Sequence, residues 1–266
     1  MLKIHLLCLL NLSILSSSCT FKVNKSENKT IIAPKTILYE SLDYPSKNYT
    51  LELTFDGNKI ESIFNAKEKT KTVFIYSGDF ITTKKVIYEN SSVRETNYLY
   101  ENNKLKEIIY KGYFSSRKYS YKGDQMIFYV DHCENPNIIN RDNIGKFIVQ
   151  NGNIVEEVEE EKTPLYQGEL SGGENNKYSY DDKNHPMKNV LGFNLLLGEE
   201  IFSDNLLGKN NVIKTNHTRQ FMTSGNRSIY TLIINRMYTY NKDGYPLTEE
   251  YSENGKKTHH IIRYVY

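Results

Sequence analysis

Residues 49–64 read YTLELTFDGNKIESIF. Leu51, Leu53 and Phe55 fall on every second position, the period of a strand with one buried face. Phe55-Asp56-Gly57-Asn58-Lys59-Ile60 then places apolar ends around a Gly/Asn turn, as a tight hairpin requires. The same grammar recurs at Tyr76-Ser77-Gly78-Asp79-Phe80-Ile81, Tyr100-Glu101-Asn102-Asn103-Lys104-Leu105, Tyr121-Lys122-Gly123-Asp124-Gln125-Met126 and Val149-Gln150-Asn151-Gly152-Asn153-Ile154. Later versions stand at Tyr180–Asn184 and Tyr240–Tyr245.

A spacing near twenty residues between the leading aromatics signals stacked units, none able to bury its own face alone. The reading is all-β: an antiparallel meander of repeated hairpins, a dozen or more strands, strongly twisted and curled towards a barrel. With 22 Tyr and 11 Phe against no Trp, the aromatic face is expected inside, and Lys, Glu and Asn outside. Two stretches, 131–147 and 156–176, break the rhythm and read as loop and exposed excursion. The run 187–198, MKNVLGFNLLLG, is apolar but interrupted by Gly. Short helical turns over about 187–207 are expected there, covering an open end of the sheet.

The chain begins MLKIHLLCLLNLSILSSSC. Lys3, an apolar stretch from Ile4 to Leu15 and three serines before Cys19 match a secretory leader, and that stretch is too short to span a bilayer as a helix. Ending in cysteine, it resembles a bacterial lipobox, which makes Cys19 the expected lipidation site and the membrane a partner through acyl chains. Residues 20–48, polar and rich in Lys and Asn, read as a flexible tether to a repeat domain at 49–266. With Cys8 in the leader and Cys19 acylated, Cys133 stands alone, and the fold is expected to hold without a disulfide.

The Tyr-x-Tyr-Asp/Asn turns resemble the tyrosine–aspartate (YD, Rhs-like) repeat. Tyr178-Ser179-Tyr180-Asp181-Asp182-Lys183-Asn184-His185-Pro186 together with Tyr238-Thr239-Tyr240-Asn241-Lys242-Asp243-Gly244-Tyr245-Pro246 is more particular. That pair resembles Bacteroidota envelope lipoproteins known only by a domain of unknown function, over roughly 49–266. His185 separates Asn184 from Pro186, which the pattern has adjacent. The resemblance implies a hairpin fold and an envelope address, and supplies no catalytic residues.

Chemistry is sparse. Asp131-His132-Cys133-Glu134 alternates sides on an extended chain, as does His259-His260, and no zinc spacing is present. Asp181, Asp182 and Asn184, or Asn241 with Asp243 and Gly244, lack the six spaced positions of an EF-hand and read as turn residues. Glu156–Glu161 reads as a solvated strand face or loop. No nucleophile elbow, P-loop or dinucleotide fingerprint appears, so no cofactor is implied. A balance of 34 basic against 32 acidic residues argues against nucleic acid. The expectation is a lipid-anchored, non-catalytic scaffold or binding module of the cell envelope, with a glycan or protein as partner. An envelope enzyme acting on glycan or peptide, and a carrier of an apolar ligand, are the alternatives.

Overall fold

The computed structural model describes residues 31–113, 115–133, 143–162, 170–199, 201, 208–223 and 226–266. Within them the chain forms β1 (Thr36–Ser41), β2 (Tyr49–Asp56), β3 (Lys59–Asn65), β4 (Thr70–Ser77), β5 (Phe80–Ile87), β6 (Val93–Glu101), β7 (Lys104–Tyr110) and β8 (Ser115–Lys122). It continues with β9 (Met126–Cys133), β10 (Asn143–Gln150), β11 (Asn153–Lys162), β12 (Leu170–Tyr180), β13 (Val212–Thr223), β14 (Asn226–Tyr240), β15 (Pro246–Glu253) and β16 (Lys256–Val265). Every strand pairs antiparallel with its sequence neighbours, and β1 pairs with β16, so the sheet closes into a barrel. Ile37 sits between Leu51 on one side and Tyr264 on the other.

Closure goes beyond the expected curled meander, and bulges explain it. The ladder slips between Thr54 and Phe55, Ile75 and Tyr76, Leu99 and Tyr100, and Ile148 and Val149, each time just before a tight turn. Each bulge adds right-handed twist and bends its strand. Repeated at one end of the sheet, the bends roll it shut.

The repeat has a physical basis in the tyrosine hydroxyls. Tyr100 Oη donates to the Ile81 carbonyl (2.8 Å), Tyr121 Oη to Leu105 (2.7 Å) and Tyr180 Oη to Ile154 (2.5 Å), while Tyr76 Oη accepts from the Ile60 amide (3.1 Å). Each partner is the buried aliphatic residue that opens the strand after an earlier turn. The leading aromatic of one hairpin thus locks an earlier one. These tyrosine rings face inward as expected, as do Tyr98 and Tyr129, each 1% exposed, whereas Phe64 and Phe128 stand on the outer face.

Several boundaries differ from the sequence reading. The last part of the 20–48 stretch is not tether: Thr36–Ser41 is the strand that closes the barrel. Strand β9 runs through Cys133 and β10 starts at Asn143, so the described parts of 131–147 are sheet rather than loop. The excursion expected over 156–176 is largely β11 and β12, whose alternation is hidden because both faces carry polar residues. For the same reason β13 was not legible: its inward side includes Thr215 and His217. Cys19, the leader and Glu134 lie outside the described residues.

Residues 181–199, between β12 and β13, turn into the barrel. Leu191 N–H donates to Asn58 O (2.8 Å), and Gly192 packs against the β4–β5 turn so closely that a Cβ would lie 2.7 Å from Asp79 O. With φ +69, Gly192 also needs the left-handed region that other residues avoid. A short 3₁₀ turn, Phe193–Leu195, sets Phe193 edge-on to Phe74 (6.4 Å). Tyr119 Oη then caps Leu197 O (2.6 Å). The insert therefore plugs the end where the tight turns lie, in agreement with the covering role expected of 187–207 as far as it is described.

Candidate functional site in the lumen

Pairing register decides which side chains face inward. Tyr98, Ile108, Arg117, Asp131 and Asn143 form one inward row; Tyr119, Tyr129, Gly145, Glu159 and Glu174 form another. A charge standing on an otherwise aromatic face is the signal that sequence reasoning passed over. Arg117-x-Tyr119-x-Tyr121 and Ile234-x-Arg236-x-Tyr238 both show it.

Against the wall β2–β9 the insert fills the lumen, and its deepest described anchor is ionic. Glu199, almost wholly buried, pairs with Lys84 of β5 and accepts from Tyr98 Oη (2.9 Å) and Tyr110 Oη (3.1 Å). Burial, reinforced by the Glu199 charge, pushes the Tyr98 hydroxyl far above its usual range, so it remains a donor. Arg117 grips Asp131 with two bonds (2.6 and 2.7 Å) and lies over the Tyr129 ring at 4.2 Å.

The opposite wall is polar. Glu159 accepts from Tyr129 Oη and Asn143 Nδ2, both at 3.1 Å, and Glu157 accepts from Tyr178 Oη (3.0 Å) and Asn176 Nδ2 (3.4 Å). His217 Nδ1 shares a hydrogen bond with Asn176 Oδ1 (2.7 Å). Burial holds the Glu157 carboxyl above the ordinary carboxylate range, despite those donors. The acidic run is therefore no uniform solvated face: Glu157 and Glu159 point inward, Glu156 and Glu160 outward. On β14 to β16, Arg236 pairs with Glu249 (3.3 Å) and donates to Thr215 Oγ1 (2.9 Å), and Tyr264 Oη donates to Glu249 (2.8 Å).

The residues weighed for metal chemistry have other duties. Asp131 is held by Arg117, and its neighbours alternate sides, with His132 turned outward. Asp181 closes the base of the insert, accepting from the Lys183 and Asn211 amides (3.0 Å each) and from Tyr240 Oη. Asn241 Oδ1 accepts from the Asp243 and Tyr245 amides, a local turn (3.0 Å each). His260 stacks on Tyr251. Among the described residues no three His, Cys, Asp or Glu side chains converge as metal ligands.

His185, in the base of the insert, is buried, and its Nδ1 accepts from the Met187 amide (3.2 Å). Desolvation pushes its pKa down to about 4. A depressed imidazole favours folding above the unfolded value, and that contribution is lost as pH falls from about 6.5 towards 4. We expect urea-unfolding stability to drop by roughly 2–3 kcal/mol over this window from His185 alone. His185→Gln is expected to flatten that part of the profile; an unchanged slope would show that the imidazole is not buried neutral.

No family model matches the chain, and no curated protein does. Among solved structures, a porin-like protein from Bacteroides vulgatus is similar at 14% identity and TM-score 0.48, over 88% of this chain and 98% of that one. A porin-like protein from Bacteroides uniformis is similar at 12% identity and TM-score 0.40, over 71% and 76% respectively. Likenesses this remote carry no inference about this chain.

The outer surface has its own character. Glu52, Phe64 and Lys71 share an outward row, as do Lys85 with Glu95, Glu107 with Lys118, and Glu156 with Lys177. Ion pairs cross it at Lys85–Glu95 (3.2 Å), Lys257–Glu250 (2.7 Å) and Arg263–Glu40 (2.8 Å). Exposed Phe64, Ile75, Leu99, Phe128 and Met237 share this outer face, as do the pairs Ile87–Val93 and Val130–Ile144.

Proposed function

We propose that this chain is a lipid-anchored binding module of the bacterial envelope, a water-facing barrel plugged at one end by its own insert and open to a ligand at the other. The observation that carries the reading is charge on the outer face, where Lys85 pairs with Glu95, Glu107 with Lys118 and Glu156 with Lys177; a Lys or Arg facing lipid near the bilayer midplane costs about 2–4 kcal/mol. The leader and Cys19 supply the anchor. β1 begins at Thr36 on the plugged end, so an anchor at Cys19 tethers that end to the membrane and turns the open end away from it.

Cys19→Ala in the native host is expected to move the protein from the membrane fraction to the soluble one. The wild-type mass should match cleavage before Cys19 plus acyl chains. Purified protein added to a planar bilayer is expected to give no conductance steps. Retention of Cys19→Ala in the membrane, or porin-like conductance, would overturn this reading.

A further inference from the structure

A cavity of about 220 Å³ opens inside the barrel between β1, β2, β14, β15 and β16, near the unplugged end. One side is a stacked pair, Tyr39 on Tyr49 (centroids 4.2 Å apart, planes at 11°), and the other is Tyr251 on His260 (5.8 Å, 8°). Ile262 lies between them, and the buried Arg236–Glu249 pair completes the lining.

Arg236 is held from two sides. Its Nε faces Glu249 (3.3 Å) and its Nη1 donates to Thr215 Oγ1 (2.9 Å). A guanidinium with side-chain exposure of only 4% borders the cavity, and its five N–H groups make it a donor only. Charge selects against a strong anion, because Glu249 already neutralises Arg236, and Lys47 Nζ lies over the Tyr44 ring at 4.7 Å. Size limits the occupant too, since drug-sized ligands need roughly 300 Å³ or more. Aromatic walls suit a ring with an apolar face, and the polar lining suits hydroxyl groups on its edge.

We infer that this cavity is a subsite for one neutral sugar ring of hexose size, held between the Tyr39/Tyr49 and Tyr251/His260 pairs, with a hydroxyl facing the Arg236 guanidinium. The inference rests on the binding-module reading and names its ligand class. Saturation-transfer NMR on the full-length protein, with glucose, galactose, N-acetylglucosamine and glucuronate as probes, tests it. At least one neutral sugar should show transfer, weakened tenfold or more in Tyr251→Leu and in Tyr49→Leu. His260→Phe keeps the stack and removes the ring nitrogens; it is expected to lose about threefold while its melting temperature stays close to wild type. No transfer to a folded protein, or transfer unchanged in all three variants, would overturn the assignment. Transfer to glucuronate alone would also overturn it, while leaving the binding-module reading intact.

Discussion

Replacing Glu199 with alanine is expected to loosen the plug and cost about 3–5 kcal/mol, the range for removing one member of a buried ion pair. The carboxylate is bonded by Lys84, Tyr98 and Tyr110, from three successive strands, and its loss strands an ammonium and two hydroxyls in the lumen. Glu199→Gln keeps an acceptor for the tyrosines and should lose only about half as much. Denaturation by urea measures the cost. Limited proteolysis then separates two cases: early cutting within 181–211 means the insert leaves an otherwise closed barrel, whereas uniform cutting means global unfolding. A stability loss under 1 kcal/mol would show that the insert is held by Phe193 and the backbone bonds alone.

Glu249→Ala should cost a similar 3–5 kcal/mol, since it leaves Arg236 charged and buried in the wall. Here the informative comparison is a double variant. Arg236→Met with Glu249→Met removes both charges and keeps volume, and such replacements are commonly neutral or stabilising. The expected order in a melting experiment is therefore wild type close to the double variant, with Glu249→Ala well below both. If the double variant is as damaged as the single one, the pair's bonds to Thr215 and Tyr264 matter more than its charge balance. The double variant should also lose sugar binding while remaining folded, because the guanidinium that lines the cavity is gone.

How much of this was legible depended on which face of each strand was apolar. Strands β2 to β9 alternate plainly, so their hairpins and turns could be read from residues such as Leu51, Ile81 and Tyr119. In β11 to β13 the inward positions include Glu157, Glu159, Asn176 and His217, and polarity on both faces erases the period-two signal. β1 was missed because six residues, TILYES, follow a polar stretch and pair with the far end of the chain, which no local pattern reveals. The plug was visible as an apolar insert; its anchor was not. Glu199, Lys84 and Tyr98 are separated by up to 115 positions, and only register brings them together. The envelope lipoprotein resemblance remains a proposal resting on the leader and the turn motifs.

The seam between β1 and β16 carries a kinetic consequence. Thr36 pairs with Val265, so the last ladder joins nearly the whole described length of the chain. All other pairings are between consecutive strands and can form hairpin by hairpin, in chain order. The cylinder itself cannot shut until the C-terminal strand arrives, and until then two unpaired edges, one at each end of the sheet, stay open to other chains. A product truncated before residue 256 would be an open sheet with β1 and β15 as bare edges, prone to joining edge to edge with its copies.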